Sequence, residues 1–377
     1  MSEQVQTAPV TKPADAKLSG EPLLARFLEA GYAQAEPRIL QPASIFLDQS
    51  GEDIRGRLFV TNDGSGQELC LRPEFTIPVC RDYLAGTDAG KPAGYAYCGP
   101  VFRMRGTAGG EFIQVGLESL GREDVEAADA EIFALALSAV DRPLHVSIGD
   151  MALLGQLLQA LDLPPFWLRR IKRGLAHGKS AMEIFSAPQK AQATDHSGVL
   201  AALEGVDRKG ARALVEDLLS IAGISTVGGR SVSEIADRFL EQSSLKAQDG
   251  LPQEKQDILQ KFLAISGNPD DASAQLRALS RATKLDFGDT LDAFDMRNGF
   301  IAAYGVDLQK LEFSTAFARN LDYYTGFVFE ARLSPHDAKP AIGGGRYDRL
   351  LKALGAATDI PAVGASVWIG RLNGEKE

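Results

Sequence analysis

The feature that most constrains the fold is a pair of facing segments between residues 96 and 120. Across Glu111–Leu120, Ile113, Val115 and Leu117 project to one side and Phe112, Gln114, Gly116 and Glu118 to the other, the period of a β-strand. Residues 96–105 read as its partner, and Gly106-Thr107-Ala108-Gly109-Gly110 supplies the turn. Such a hairpin buries its apolar face only with further strands beside it and helices over it. Strand patterns recur at 58–61 and 68–71 around Asn62–Gly66, at 144–148, 311–321 and 326–333, at Ala341-Ile342 running into Gly343-Gly344-Gly345, and at 362–372. Helical patterns begin near Glu21, at Pro73 running to Leu84, at the N-cap Asp124 running to Val140, and across 347–354.

Between Pro164 and Thr290 the texture changes: apolar residues recur three and four apart, and strand signals nearly vanish. Ser231-Val-Ser-Glu234 reads as a capping box before Ile235 and Phe239. The expected organisation is an α+β domain over 21–163 and 291–377, split by a helical insertion over 164–290, with a disordered tail over 1–20.

Composition excludes several classes. With 45% hydrophobic and 24% charged residues the 377-residue chain is globular, and no apolar run approaches the ~18 residues of a membrane span. A net charge of −10 argues against a dedicated nucleic-acid binder, although a local basic patch is compatible with it. Cys70, Cys80 and Cys98 form neither a disulfide framework nor a CxxC pair and read as small buried hydrophobes of a cytoplasmic protein. His145, His177, His196 and His336 are scattered, so no metal and no cofactor is assigned. The first residues lack the basic start and apolar core of a signal peptide.

Several residues are candidates for chemistry. Gln114 and Glu118 flank Gly116 on one strand face, leaving room for something small; a solvated face with cross-strand Arg–Glu pairs involving Arg103 and Arg105 is the alternative. Glu74, in Arg72-Pro73-Glu74-Phe75-Thr76, fits a ligand site or simply the favourable first turn of a helix. In Arg319-Asn-Leu-Asp-Tyr-Tyr-Thr-Gly326, Arg319 and Tyr323 share one side of a strand and Tyr324 the other, which suggests a ligand edge or ordinary packing. Gly343-Gly344-Gly345-Arg346-Tyr347 lacks P-loop and dinucleotide spacing and fits a turn where two backbones approach closely.

Taken in order, Leu-Arg-Pro-Glu-Phe-Thr (71–76), Phe-Arg-Met-Arg…Glu-Phe-Ile-Gln-Val-Gly-Leu-Glu (102–118), Arg-Asn-Leu-Asp-Tyr-Tyr-Thr-Gly…Phe-Glu (319–330) and Ala-Ile-Gly-Gly-Gly-Arg-Tyr-Asp (341–348) resemble the catalytic domain of histidyl-tRNA synthetases. The resemblance covers about residues 20–155 and 305–372 and implies a class II aminoacyl-tRNA synthetase-like antiparallel sheet flanked by helices. It also implies a histidine site: Glu74, Thr76 and Gln114 around the α-ammonium, Glu118 and Tyr324 facing the imidazole, Tyr347 closing the side, Arg319 on the carboxylate, with Arg103 and Tyr323 nearby. Phe75 departs from the glycine usual in synthetases and is expected to narrow the site.

The nucleotide half departs further. Where adenylating synthetases carry Phe-Arg-x-Glu, this chain has Arg103 followed by Arg105 in the glutamate's position, and its next loop, 106–110, holds no charge. The synthetases' last motif, Gly-Leu-Glu-Arg, stands here as Trp368-Ile369-Gly370-Arg371, and the Trp368 indole would fill space that ATP needs. Adenylation depends on fixed cations around a triphosphate. Six residues follow Arg371, where a synthetase would continue into an anticodon-binding domain. The pattern resembles the regulatory subunits of ATP phosphoribosyltransferase. That resemblance implies a non-catalytic homodimer within a hetero-oligomer, partnered by a short catalytic subunit in the first step of histidine biosynthesis, with histidine as feedback ligand and neither tRNA nor membrane as partner. A histidyl-tRNA synthetase-like or other amino-acid-activating enzyme, supported by Arg103, Arg319 and Arg371, and an assembly subunit whose site binds nothing are the alternatives.

Overall fold

The computed structural model describes residues 14–50, 56–87, 89–104, 109–138, 140–176, 179–185, 226–227, 230–231, 251–317 and 323–374. Its contacts define two compact units, Met1–Ala160 with Phe262–Glu377, and Leu161–Lys261.

The first unit is built on β1 (Ala33–Gln34), β2 (Leu40–Pro42), β3 (Val60–Asn62), β4 (Glu68–Leu71), β5 (Ala93–Phe102), β6 (Glu111–Leu120) and β7 (His145–Asp150). In the second unit β8 (Thr226–Val227) pairs with β9 (Arg230–Ser231). The first unit continues with β10 (Ser266–Gly267), β11 (Leu311–Ser314), β12 (Phe327–Arg332), β13 (Ile342–Arg346) and β14 (Ala362–Trp368). Its main sheet has the order β1-β5-β6-β14-β13-β12-β7-β11-β10, antiparallel except for β1 with β5 and β11 with β7. A small sheet, β2-β4-β3, precedes the helix Thr76–Ala85.

The helix Val125–Ser138 is apolar nearly all round because it is covered on two sides. It packs on β6, β13 and β14 and against the helix Thr290–Ala303, burying Ala128, Ala130, Ile132, Phe133 and Ala136. Phe133 meets Phe327 and Phe329 edge-on, with centroids 5.4 and 4.9 Å apart. In the second unit the helix Pro165–Ala176 buries Trp167, Ile171 and Leu175, and Arg170 Nε donates to the Ile184 carbonyl at 2.6 Å.

Several boundaries differ from the sequence expectations. The first helix, Ala14–Glu29, starts inside the expected tail because it packs on β5 and β6; residues 1–13 lie outside the described residues. Residues 262–290, expected in the insertion, belong to the sheet-bearing unit, since Ser266–Gly267 is a strand of its sheet. The strand expected over 311–321 stops at Ser314, where Thr315 Oγ1 donates to the Phe262 and Ile265 carbonyls (2.5 and 3.2 Å) and turns the chain away. Ser231, expected to cap a helix, lies in β9, and the rest of that capping box is outside the described residues. The last strand ends at Trp368 and a short helix, Ile369–Leu372, follows.

A buried ion cluster ties the long helices to the sheet. Arg346 Nε donates to Asp129 Oδ1 and its Nη1 to Asp348 Oδ1, both at 2.8 Å, and Nη2 reaches the Val125 carbonyl at 3.1 Å. Arg297 donates to Asp150 Oδ2 at 2.5 Å and lies 3.7 Å from Asp129 Oδ2. Asp150 Oδ1 in turn accepts from the Ala152 and Leu153 amides, capping the helix Met151–Ala160. Burial pushes Asp129 up to about 6 against the pull of both guanidinium groups. Removing one partner of a buried pair strands the other charge, which is more costly than the pair itself is stabilising. Arg346→Met is therefore expected to lower unfolding free energy by about 3–5 kcal/mol in urea titrations; a loss below about 1 kcal/mol would place the cluster among the weak pairs typical of surfaces.

Candidate functional site

Register on three adjacent strands assembles one face of the site. Opposed residues share a face, so Tyr95, Tyr97 and Gly99 of β5 line up with Glu118, Gly116 and Gln114 of β6, and these with Gly364, Ser366 and Trp368 of β14. The glycines make this surface habitable. A Cβ at Gly364 would lie 1.5 Å from Glu118 Oε2, and one at Gly116 would lie 2.4 Å from both the Tyr97 hydroxyl and the Ala365 carbonyl. The clearance read from Gly116 is real, but the Tyr97 phenol enters it.

Glu118 is the centre of the arrangement. It is 1% exposed, and among the described residues its hydrogen-bond donors are all hydroxyls. Thr76 Oγ1 and the Tyr97 hydroxyl donate to Oε1 at 2.7 and 3.0 Å, and the Tyr347 hydroxyl donates to Oε2. Burial pushes its carboxyl up to about 8; the three hydroxyl donors oppose this and the nearby Glu74 adds to it. Tyr97 is fixed from behind by stacking on Phe75 (centroids 4.3 Å apart, 6° between planes), and the Arg72 guanidinium lies 3.9 Å over the other side of Phe75. Arg72 is anchored by donating to the Pro37 and Pro100 carbonyls. Phe75 thus packs between Tyr97 and Arg72.

The other candidates fall around this centre. Glu74 accepts from the Ile77 amide (3.0 Å) and caps the helix Thr76–Ala85, the structural role open to it from sequence; burial raises its carboxyl, opposed by that amide and by Arg103. Gln114 is 2% exposed and its Oε1 has no hydrogen-bond partner. Tyr323 stacks on Tyr347 at 5.4 Å and meets Tyr324 edge-on at 4.8 Å. Tyr347 bonds Glu118, and Tyr324 sits against Gly345, where a Cβ would meet its ring at 2.9 Å. Neither Tyr323 nor Tyr324 lies in a strand. Arg319 and Arg105 lie outside the described residues.

Arg103 leaves the hairpin after β5 and donates from Nε to the Pro73 carbonyl at 2.8 Å. Its guanidinium lies 4.8 Å from the Trp368 ring, and Arg371 lies 4.4 Å from the same indole while donating to the Pro340 carbonyl. Both cations are thus engaged with one buried aromatic ring and with backbone carbonyls. Among the described residues no group of three or more His, Cys, Asp or Glu side chains is gathered to hold a metal, and no helix is long and apolar enough to cross a membrane.

Sequence reasoning missed Tyr97 because the strand bounds it gave imply another register. With strands at 96–105 and 111–120, Tyr97 is not opposite Gly116; the observed pairing is Phe102 with Glu111, and Arg103 and Met104 run into the connection. A tyrosine opposite a glycine on the facing strand is a signal only once the register is known.

The architecture is the class II aminoacyl-tRNA synthetase-like fold: a largely antiparallel sheet flanked by helices, as in solved structures that share it. An ATP phosphoribosyltransferase regulatory subunit/histidyl-tRNA synthetase from Bacillus halodurans aligns over 100% of this chain and 84% of its own, with a TM-score of 0.69 at 21% identity. A histidyl-tRNA synthetase from Nostoc aligns over 99% and 75%, with a TM-score of 0.66 at 19% identity. The family model described as histidyl-tRNA synthetase matches residues 14–222 and 210–372. ATP phosphoribosyltransferase regulatory subunits of Brucella canis and Brucella melitensis are 42% identical over 351 residues, covering 90% of this chain and 93% and 92% of theirs. The chain belongs to the family of ATP phosphoribosyltransferase regulatory subunits, the histidyl-tRNA synthetase-like branch that carries that name.

The raised carboxyl of Glu118 has a consequence for stability. The folded chain holds this proton up to about pH 8, whereas the unfolded chain loses it near 4.5. The group's contribution is therefore complete below pH 4.5, declines as pH rises towards 8, and is level above it. Glu118→Gln is expected to gain on the wild type in urea midpoint as pH is raised across this window; parallel pH profiles would contradict the assignment.

Proposed function

We propose that this chain is a non-catalytic subunit that binds histidine at the Glu118 site and, joined to a short catalytic ATP phosphoribosyltransferase subunit, carries feedback by histidine. The observation that carries the reading is the pairing of Gln114 with Glu118. Four residues apart on one strand face, their Cα atoms are about 13 Å apart, and the Tyr97 phenol lies over Gly116 between them. At one end is a buried carbonyl oxygen without a donor, which an α-ammonium would satisfy. At the other is a carboxyl already ringed by hydroxyls, which a ring N–H would complete. The polar groups are few and convergent, as ligand sites require. The relatives' shared name, ATP phosphoribosyltransferase regulatory subunit, supports a catalytic partner.

The enzyme alternative is disfavoured by Trp368. Anion stabilisation during adenylation needs preorganised cations open to a triphosphate, and Arg103 and Arg371 are stacked on the indole instead. For feedback, histidine must bind one state of the complex better than another. The coupling is reciprocal, so ligands of the catalytic subunit change histidine affinity by the same factor. Homodimerisation and a cytoplasmic location belong to the same proposal.

Calorimetry with histidine on the complex of both subunits tests the reading. Glu118→Ala and Gln114→Leu are each expected to weaken binding at least about tenfold, roughly 1.4 kcal/mol. Undiminished binding in both variants would move the histidine site elsewhere, and histidine-dependent ATP–pyrophosphate exchange by the chain alone would establish the enzyme.

A further inference from the structure

The helix Thr290–Ala303 has two unlike faces. Inward it buries Leu291, Phe294, Arg297, Asn298 and Ile301, and it packs on the helices Val125–Ser138 and Pro269–Thr283. Outward it shows Met296 (54% exposed) and Phe300 (38%), followed just past its end by Tyr304 (50%). Spaced four apart, the three share one side of the helix. Gly299, Ala302, Ala303 and Gly305 are exposed among them, and a Cβ at Gly299 would meet nothing within 4 Å. From Met296 to Gly305 the one charged side chain is Arg297, which is buried beside Asp150 and Asp129. A helix face turned to water ordinarily carries polar and charged residues, and a contiguous apolar one marks an interaction surface. Methionine and aromatic residues are the ones enriched at the cores of such surfaces.

Both ends of this face are acidic. At the first, Asp292 stands one step of four before Met296, with Asp289 and Asp295 beside it, and Arg277 bonds both Asp292 and Asp295. At the other, the Tyr304 hydroxyl donates to Glu131 at 3.4 Å, a carboxylate that Arg122 and Tyr32 also bond. Asp307 follows, with Lys310 3.5 Å from it. A second copy pairing this face about a two-fold axis would set carboxylates against carboxylates in either helix direction, which is unfavourable. The face therefore fits an unlike partner, one with an apolar patch and basic side chains about 18 Å apart, the rise of the helix from Asp292 to Tyr304. Behind the face, Arg297 pairs with Asp150 and Asp129, Asp129 with Arg346, and the next residue, Tyr347, bonds Glu118. Packed elements and ion-pair networks of this kind carry coupling between distant sites. Resting on the reading of this chain as the partner of a short catalytic subunit, we propose that this catalytic subunit docks on the outer face of the helix Thr290–Ala303, with Met296, Phe300 and Tyr304 as anchors, through an apolar patch rimmed by lysine or arginine.

Sedimentation titration of the purified chain with the short catalytic subunit, at low and high salt, tests the docking face. Met296→Lys and Phe300→Lys each set a cation against the partner's basic rim and are expected to weaken association at least about tenfold. Their circular dichroism and the mass of the chain alone are expected to match the wild type. Asp292→Asn combined with Asp307→Asn leaves the apolar anchors untouched and is expected to weaken association less while flattening its salt dependence. An unchanged salt dependence in that variant counts against the proposal even where a lysine variant fails to fold. Wild-type affinity in both lysine variants would overturn the docking face and leave the regulatory reading intact. Loss of self-association by the lysine variants alone would give the face to a second copy and overturn the proposal likewise. Failure of the wild-type chain to associate with the catalytic subunit at either salt would remove the regulatory reading, and this proposal with it.

Discussion

A single buried carboxyl group organises this site. Glu118 sits in the middle of a sheet face, where an ionised group without compensation is strongly disfavoured, and much of the local sequence acts to hold it there. Gly364 has no side chain because Glu118 occupies that volume. Thr76 is brought to it by the start of a helix, Tyr97 by the neighbouring strand, and Tyr347 by the chain just after β13. Phe75 and Arg72 stack behind Tyr97 and keep its hydroxyl aimed at the carboxyl. The hydroxyls around the carboxyl are thus held in place, and the Gln114 Oε1 atom is left without a hydrogen-bond partner.

The same strand that delivers Tyr347 carries Arg346 into the buried ion cluster. Arg346 joins Asp129 of the helix Val125–Ser138 to Asp348, and Asp348 Oδ1 also accepts from the Ala362 amide at 2.8 Å, at the start of the strand that faces Glu118. Support for the site therefore runs continuously from the helices to β13 and β14. The surroundings of Trp368 are organised differently. There Trp368 gathers Arg103 and Arg371 onto an aromatic surface, satisfying cations that an anion would otherwise attract.

Much of this could be read from the residues, and the failures have physical causes. The alternation of Glu111–Leu120 identified β6 and its two faces because a period of two is local information. The ordered segments around Glu74, Gln114, Glu118 and Tyr347 identified the fold and brought together Glu118, Thr76 and Tyr347, which are bonded in the structure. Tyr97 was invisible because register is set by hydrogen bonds made where the chain leaves β5, at Arg103 and Met104. The end of β11 was misjudged because Thr315 bonds carbonyls about fifty residues away in sequence. The helix Pro269–Thr283 looked like part of the insertion because its periodicity cannot say which layer it packs against; β10 just before it decides. Glu74 was correctly open to two roles, and its bond to the Ile77 amide shows one of them.

The central claim is that histidine's ring meets Glu118. Magnetic resonance of histidine labelled at its ring nitrogens, added to the complex, observes this contact from the ligand's side. A distinct bound ring-nitrogen signal that holds its position through neutral pH, and that Glu118→Gln shifts towards the free value, is the predicted result. A bound signal indifferent to Glu118→Gln, or ring nitrogens that titrate in the complex as they do in free histidine, would contradict it.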